Sequence, residues 1–203
     1  MCGTIVQNSG PIDYMEALFA NVGNGTGLSH TRQRSTGACV KPLAIHRFGD
    51  TPAMDRFHWG YAPRWSKRRP VANAPLDMLL RGSVVWRPLL ARRVLVPADG
   101  WFEPTDGDGS PYQYIHASDG KPVYIAALTA WRPGHRHGKQ DGLAIITDEA
   151  CGEKDGQARP VILPVSAARL WLDLDTPIID ALQLACTPWA ASAYGWRPPA
   201  ALQ

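Results

Sequence analysis

Short apolar runs, several of them alternating with polar residues, recur along most of this chain and are separated by Gly, Pro, Asn and Asp. Runs of this length between turn-forming residues are typical of β-strands. They predict strands at residues 43–48, 55–59, 93–97, 100–103, 112–115, 123–128, 143–147 and 161–163. Residues 106–110, rich in Asp and Gly, predict a hairpin loop between the fourth and fifth of these strands.

Helical periodicity is confined to smaller parts of the sequence. It predicts helices at residues 12–20, 76–80, 83–91, 166–172 and 176–184. Asp13 and Ser166 stand where an N-cap side chain is expected. Residues 186–203, rich in Pro, Ala and Trp, predict an irregular C-terminal tail. Many short strands with few helices predict a single α+β domain over residues 1–203, in which curved antiparallel sheets form a partly open barrel with peripheral helices.

The composition agrees with such a fold and argues against several others. The 203 residues include 19 Gly and 18 Pro, and this turn-forming content disfavours a helical bundle or a coiled coil. No run approaches about 18 apolar residues, so no membrane span is expected. The start of the chain lacks an export signal, which predicts a cytoplasmic protein with reduced cysteines. The four cysteines form no CxxC pair, and neither a metal nor an organic cofactor is expected.

Basic residues are concentrated between Arg56 and Arg93, although the formal net charge of the chain is only +3. This basic segment has nine of the 21 Lys and Arg residues and a single acid, Asp77. It also contains three tryptophans, Trp59, Trp65 and Trp86, and one tyrosine, Tyr61. Cations that bind phosphates, beside rings that stack on bases, favour an interface with single-stranded nucleic acid. A solvated basic face over tryptophans of the core explains the same pattern equally well.

Cys2 is the residue with the most distinctive chemistry. Removal of Met1, which a small second residue permits, would leave an α-amine and a thiol on one residue. Both groups titrate at about pH 8 to 8.5, so each is partly nucleophilic at neutral pH. The thiol could attack an acyl carbon with the amine as base. Alternatively, both groups could condense with an aldehyde to give a thiazolidine ring, and an unreactive second residue is the third reading.

Two families begin with Met-Cys-Gly, as residues 1–3 do. The first is the class II glutamine amidotransferases. Residues 30–37 (HTRQRSTG) resemble the substrate-binding segment of that family. That segment comes too early in this chain, and no Asn-Gly motif follows it. This short resemblance leaves an amidohydrolase with an N-terminal nucleophile as one alternative function.

The second resemblance runs through most of the chain. Besides residues 1–3, five collinear blocks resemble those of the SRAP family, the SOS-response-associated peptidases that shield abasic sites in single-stranded DNA. These blocks are residues 59–65 (WGYAPRW), 73–74 (NA), 97–103 (PADGWFE), 144–147 (AIIT) and 159–163 (RPVIL). One such block would be weak evidence, whereas five in order together with the N-terminal Cys make a specific match.

The resemblance implies an SRAP-like fold and a covalent thiazolidine crosslink between Cys2 and the aldehyde of an abasic site. Glu103 would act as the general acid or base, and Asn73 would hold the Cys2 amine or a sugar hydroxyl. Without this resemblance, Glu103 reads as an exposed strand carboxylate and Asn73 as a turn residue before Pro75. Five residues of the basic segment would bind the DNA, namely Arg64, Trp65, Arg68, Arg69 and Arg81.

The chain departs from the family pattern at three places. Thr4 stands where the family has Arg, and residues 73–77 (NAPLD) lack the Arg of the family's Asn-Ala-Arg segment. The active-site His that the family has before the last block aligns with Gly156. We therefore expect slower proton transfer to the sugar, and slower strand cleavage or crosslink reversal.

A monomer that links to abasic single-stranded DNA through Cys2 is the function that the sequence favours. A non-catalytic single-stranded DNA-binding remnant fits the absent His and is the principal alternative. The two differ in one observable property, because only the first gives a covalent product that depends on Cys2.

Overall fold

The computed structural model describes residues 4–19, 33–36, 41–104, 112–135, 138, 141–149, 158–187 and 194–197. Cys2, Gly156 and the loop expected at 106–110 lie outside the described residues. Of the cysteines, Cys186 is described, and its thiol is free. No helix in the described ranges is long and apolar enough to cross a membrane.

The described ranges contain four α-helices, one 3-10 helix and thirteen strands. The α-helices are α1 (Pro11–Phe19), α2 (Leu76–Leu80), α3 (Val165–Leu172) and α4 (Ile178–Ala185), and the 3-10 helix is Arg87–Leu89. The strands are β1 (Thr4–Gln7), β2 (Gln33–Thr36), β3 (Leu43–His46), β4 (Ala53–Arg56), β5 (Asn73–Pro75), β6 (Arg93–Ala98), β7 (Gly100–Pro104), β8 (Tyr112–Ala117), β9 (Val123–Thr129), β10 (Leu143–Asp148), β11 (Arg159–Pro160), β12 (Ile162–Leu163) and β13 (Tyr194–Arg197).

The strands form two sheets, which confirms the predicted α+β class. The smaller sheet has the order β13-β8-β7-β1-β2. The larger one has the path β11-β10-β9-β6-β3-β4, with β12 paired to β9 and β5 paired to β10. Most neighbours are antiparallel, whereas β5 runs parallel to β10. The predicted hairpin is confirmed by the antiparallel pairing of β7 with β8.

Alternation along β6 divides the core into two layers. Val94 and Val96 point to a cluster between the two sheets, whereas Leu95 belongs to the cluster that the helices cover. Because successive side chains of a strand point to opposite faces, one strand can serve both layers. Gln7 of β1 ties the sheets together, since its side-chain amide donates to the carbonyls of Leu43 and Pro97.

Asp99 fixes the turn between β1 and α1. Its carboxylate accepts hydrogen bonds from the Asn8 and Ser9 backbone, the Ser9 hydroxyl and the Tyr14 hydroxyl. Burial, and then the neighbouring Asp99 charge, raise the pKa of Tyr14. The β1 strand that leads away from the N-terminus is therefore firmly held at its far end.

Four local predictions were wrong. In place of the helix predicted at residues 83–91, the structure has turns and the short 3-10 helix Arg87–Leu89. Asp13 is not an N-cap but lies inside α1, where its carboxylate accepts a hydrogen bond from the Gly10 N–H. The residue that caps α3 is Pro164, and Ser166 lies in the first turn without a capping bond. Part of the tail predicted as irregular forms β13, which pairs with β8. Strand pairing overrides local composition there, because β8 offers an open edge to it.

Candidate active site between the two sheets

Glu103 is a buried carboxylate on β7, with 5% of its surface exposed. It lies two residues from Trp101, so the two side chains point to the same face of the strand. Trp101 belongs to the layer between the sheets, and its indole N–H donates to Glu103 Oε1 at 2.7 Å. The exposed strand carboxylate that sequence alone allowed is thus excluded.

Arg159 of the larger sheet binds this carboxylate from the opposite side. Its Nε and Nη2 both lie 3.1 Å from Glu103 Oε2. In the antiparallel pairing of β11 with β10, Arg159 lies opposite Asp148 at the end of β10. The Arg159–Glu103 ion pair therefore bridges the two sheets at that end. Charge-assisted bonds of this type fix the orientation of the carboxylate. Each carboxylate oxygen still has acceptor capacity for a further donor.

The backbone of β7 is shaped by Gly100, the glycine of the Gly-Trp-Phe-Glu block. A Cβ atom at this position would meet the carbonyl oxygen of Ile115 and the ring of Tyr114 on β8. Only glycine permits so close an approach of these two strands. The approach brings Trp101 opposite Ile115 and Glu103 opposite Gln113.

Asn73 has an unusual property for a partly buried amide. It lies at the start of β5, opposite Ile145 of β10. Its Oδ1 is buried, and no described residue donates a hydrogen bond to it. A buried acceptor without a partner is costly, and such groups are rare in folded proteins. This acceptor is open to a donor from a ligand or from another part of the chain.

Cys2 lies outside the described residues, but the strand that follows it is described. Thr4 is the first residue of β1 and lies opposite Phe102, the neighbour of Glu103. Two residues of chain extend about 7 Å at most. The length of the chain therefore allows Cys2 to lie near Glu103.

The five predicted DNA-binding residues all lie on the surface. Trp65 is 72% exposed, and the Arg64 side chain is 82% exposed, 3.9 Å from Asp141. Arg81 forms an exposed pair with Asp77 at 3.7 Å, and Arg68 and Arg69 are exposed as well. None of these cations touches Glu103 among the contacts of the described residues.

The remaining aromatic residues of the basic segment are part of the core. Trp59, Tyr61 and Trp86 are each less than a tenth exposed, so the interpretation in which they stack on bases is wrong for these three. Trp59 donates its indole N–H to the carbonyl of Ala72, and Tyr61 packs against Trp86. Of these four side chains, only Trp65 is exposed enough to stack on a base.

Arg93 also proves to be structural. It is 2% exposed, and its guanidinium donates to the carbonyls of Trp171, Leu90, Asp173 and Thr176. Burial lowers its pKa, and the charge of Asp173 partly opposes that shift. This side chain joins β6 to the end of α3 and has no surface to offer to DNA.

The site has no features of a metal centre in the part of the chain that is described. Those residues contain no cluster of three or more His, Cys, Asp or Glu side chains that could hold an ion. The principal residue that sequence reasoning missed is Arg159, because its contact with Glu103 joins two different sheets. Its position beside Pro160 in the last of the five blocks carried no sign of that role.

Comparison with known proteins agrees with this geometry. The model of the family "SOS response associated peptidase (SRAP)" matches residues 1–199. The chain therefore belongs to the SRAP family, as the sequence motifs predicted.

The similar proteins cover nearly the whole chain. It is 28% identical over 207 residues to the abasic site processing protein YedK of Escherichia coli K12, which covers 98% of this chain and 91% of that protein. A solved structure of a phage-related protein from Bordetella bronchiseptica has a TM-score of 0.82 and 35% identity, with 97% and 93% of the two chains covered. A second structure, from Bacteroides thetaiotaomicron, shares the fold at 17% identity and a TM-score of 0.68, with 96% and 90% of the two chains covered.

Proposed function

We propose that this protein binds single-stranded DNA and links covalently to abasic sites through Cys2, which shields the lesion. The observation that carries the proposal is the buried carboxylate of Glu103 next to the strand that follows Cys2. Membership of the SRAP family and similarity to an abasic site processing protein support the same lesion.

The reaction needs the free amine and thiol of Cys2, and hence hydrolysis of the Met1–Cys2 peptide bond. The amine adds to the aldehyde carbon of the open abasic sugar, and loss of one water gives an imine. The thiol then adds to the imine carbon and its proton passes to the nitrogen, which closes a thiazolidine ring. The net reaction consumes one aldehyde and one aminothiol and releases one water.

Glu103 is the proton-transfer group in this scheme. An abasic sugar is mostly a closed hemiacetal, and the reactive aldehyde forms when the anomeric hydroxyl loses its proton and the ring oxygen gains one. A carboxylate held in one orientation can carry out both transfers in turn. The bonds from Trp101 and Arg159 supply that orientation and leave acceptor positions on Glu103 for the sugar.

Asn73 would act as a positioning residue. Its unpartnered group is an oxygen that accepts hydrogen bonds, and both proposed partners, the Cys2 amine and a sugar hydroxyl, are donors. The chemical match favours the assignment of Asn73 to the site rather than to a turn. The Gly156 position lacks the family His, so crosslink reversal and strand cleavage would depend on Glu103 alone and would be slow.

DNA binding would use the exposed part of the basic segment. Trp65 would stack on a base, while Arg64, Arg68, Arg69 and Arg81 would contact phosphates. A flexible single strand can bring an aldehyde to a buried carboxylate, whereas an intact duplex would hold the sugar away from it.

The test is a denaturing gel of the purified protein incubated with single-stranded DNA that contains one abasic site. The intact mass is measured first, so that only protein that lacks Met1 is scored. We expect a band that resists denaturation with the abasic strand and none with the undamaged strand. Cys2→Ala should abolish the band, and Cys186→Ala is the matched thiol control because Cys186 is an exposed free thiol.

Each alternative predicts a different set of results for the native protein and its Cys2→Ala variant. A DNA-binding remnant would bind both strands with strong salt dependence and give no covalent band with the free Cys2 amine present. An amidohydrolase would release ammonia from glutamine, would ignore DNA and would lose that activity in Cys2→Ala. Either of these results would overturn the proposal.

A further inference from the structure

A second charged site lies at the other end of β10. Here an open pocket of about 430 Å³ is bordered by the segment after Trp59, the 3-10 helix region and the loop after β9. Its charged and polar lining consists of Arg64, Arg92, Arg132, His135, Asp141 and Tyr61. Three guanidinium groups therefore face one carboxylate, which gives the pocket an excess of positive charge.

These cations are poorly compensated within the protein. Arg64 lies 3.9 Å from Asp141, too far for a hydrogen bond. No described residue accepts a hydrogen bond from the Arg92 or Arg132 side chain, and neither pairs with a carboxylate there. Burial lowers the pKa of Arg92, and the like charge of Arg132 lowers it further. Guanidinium groups held close together without acceptors form a site for an anion.

The pocket walls are held in place by backbone and core contacts. Trp131 donates its indole N–H to the His135 carbonyl at 2.7 Å, which closes the turn that carries Arg132. The Thr129 hydroxyl donates to the Gly142 carbonyl and accepts from the backbone N–H of Trp131. Because these anchors are buried or partly buried, little ordering of the backbone is required when an anion binds.

We propose that this pocket is a second phosphate site, which takes a backbone phosphate of the single strand whose lesion lies at Glu103. The inference rests on the proposed function. Arg fits a phosphate with two parallel N–H bonds, and Arg64 connects the pocket to the exposed basic segment. From Asp141 to Asp148 the chain advances seven residues, or about 23 Å of strand. That distance corresponds to about seven nucleotides of stacked strand, and to fewer when the strand is extended.

The test is a scan of single-stranded DNA in which one phosphate at a time is replaced by a neutral methylphosphonate. Positions up to about eight nucleotides on both sides of the abasic site cover the distance. We expect the native protein to lose about tenfold in affinity at one or two positions away from the lesion. Arg92→Gln/Arg132→Gln should bind unmodified DNA correspondingly less tightly and should not respond to replacement at those positions.

Salt titration gives an independent readout. Loss of one phosphate contact should reduce the slope of log affinity against log salt by about 0.7. Lys41→Gln/Arg47→Gln is the control with equal loss of charge, because both side chains are exposed and neither lines the pocket. It should keep the slope and the positional response. If the double variant does not fold, Arg132→Glu replaces it, since Arg132 is exposed.

Two outcomes overturn the inference. One is that no methylphosphonate position lowers the affinity of the native protein without also lowering the affinity of the Arg92→Gln/Arg132→Gln variant. The other is competition by inorganic phosphate at matched ionic strength without any such position, which would indicate a site for free phosphate. Undamaged strands, scanned in parallel, separate the two proposals. Pocket-dependent binding without a covalent band would refute only the crosslink, and a band without positional response would refute only the pocket.

Discussion

The charged side chains at the two ends of β10 differ in whether an opposite charge compensates them. At the Asp148 end, Glu103 and Arg159 neutralise each other between the sheets, and the carboxylate is almost fully buried. At the Asp141 end, Arg92 and Arg132 face an open pocket with no described acceptor. The same strand thus supports one closed, compensated site and one open, uncompensated site.

This difference suits one end of β10 to proton transfer and the other end to the attraction of DNA. A group that transfers protons must be held in a fixed orientation, and the cross-sheet ion pair holds Glu103 in this way. A group that attracts a polyanion is more effective when its charge is not already neutralised. We therefore expect substitutions at the two ends to change different observables, namely the reaction rate and the fold at one end and DNA affinity at the other.

The largest expected effect is that of Glu103→Gln on the crosslinking rate. An amide cannot accept the hydroxyl proton of the sugar, and general acid–base catalysis contributes about 10² to 10⁴ in rate. The rate is measured from single-turnover gels, with near-UV circular dichroism to verify the fold. Glu103→Asp keeps the carboxylate and should recover part of the rate. Equal rates for the native protein and Glu103→Gln would remove Glu103 from the mechanism.

The second effect is a loss of stability in Arg159→Met. Removal of one partner of a buried ion pair leaves the other charge without compensation and costs about 3 to 5 kcal/mol. Glu103 is the more buried partner, with 7% of its side chain exposed against 20% for Arg159, so we expect about 3 kcal/mol by urea unfolding. Arg159→Met combined with Glu103→Gln should recover much of that loss. Additive losses in the double variant would show that the pair is not coupled.

The third effect concerns Asn73, between the two ends of β10. Asn73→Ala removes an acceptor that no described residue satisfies, so the free energy of unfolding should change by less than about 1 kcal/mol. The crosslinking rate should nevertheless fall by about tenfold, because one hydrogen bond to the reacting groups is lost. A large loss of stability with an unchanged rate would assign Asn73 to the fold instead.

The sequence alone predicted the strand that carries Glu103, but it predicted neither β5, which carries Asn73, nor β11, which carries Arg159. Short apolar runs bounded by turn residues located β6 to β10 within one or two residues, because most side chains of these strands are buried. The tail was misjudged, since the strand Tyr194–Arg197 depends on the edge of β8 rather than on its own composition. Burial of Trp59, Tyr61 and Trp86 was equally invisible, because a ring that stacks on DNA and a ring in the core look alike in sequence.

Glu103 and Asn73 were named from motifs, but their environments were not predictable. The bond from Arg159 to Glu103 joins residues 56 positions apart in different sheets, and no local spacing encodes such a contact. The same holds for the pocket, where Arg64, Arg92 and Arg132 come from three separate segments. Only Arg64 among them had been singled out as a binding residue.

The smallest expected effect is that of Arg132→Gln on stability, and it tests the comparison at the other end. Arg132 has no described carboxylate partner, and its positive charge repels that of Arg92. Its removal should leave the free energy of unfolding within about 0.5 kcal/mol of the native value, on the stabilising side. Urea unfolding at low salt, where exposed charges are least screened, gives the clearest measurement. A loss comparable with that of Arg159→Met would mean that Arg132 is already compensated, and the two ends of β10 would then no longer differ.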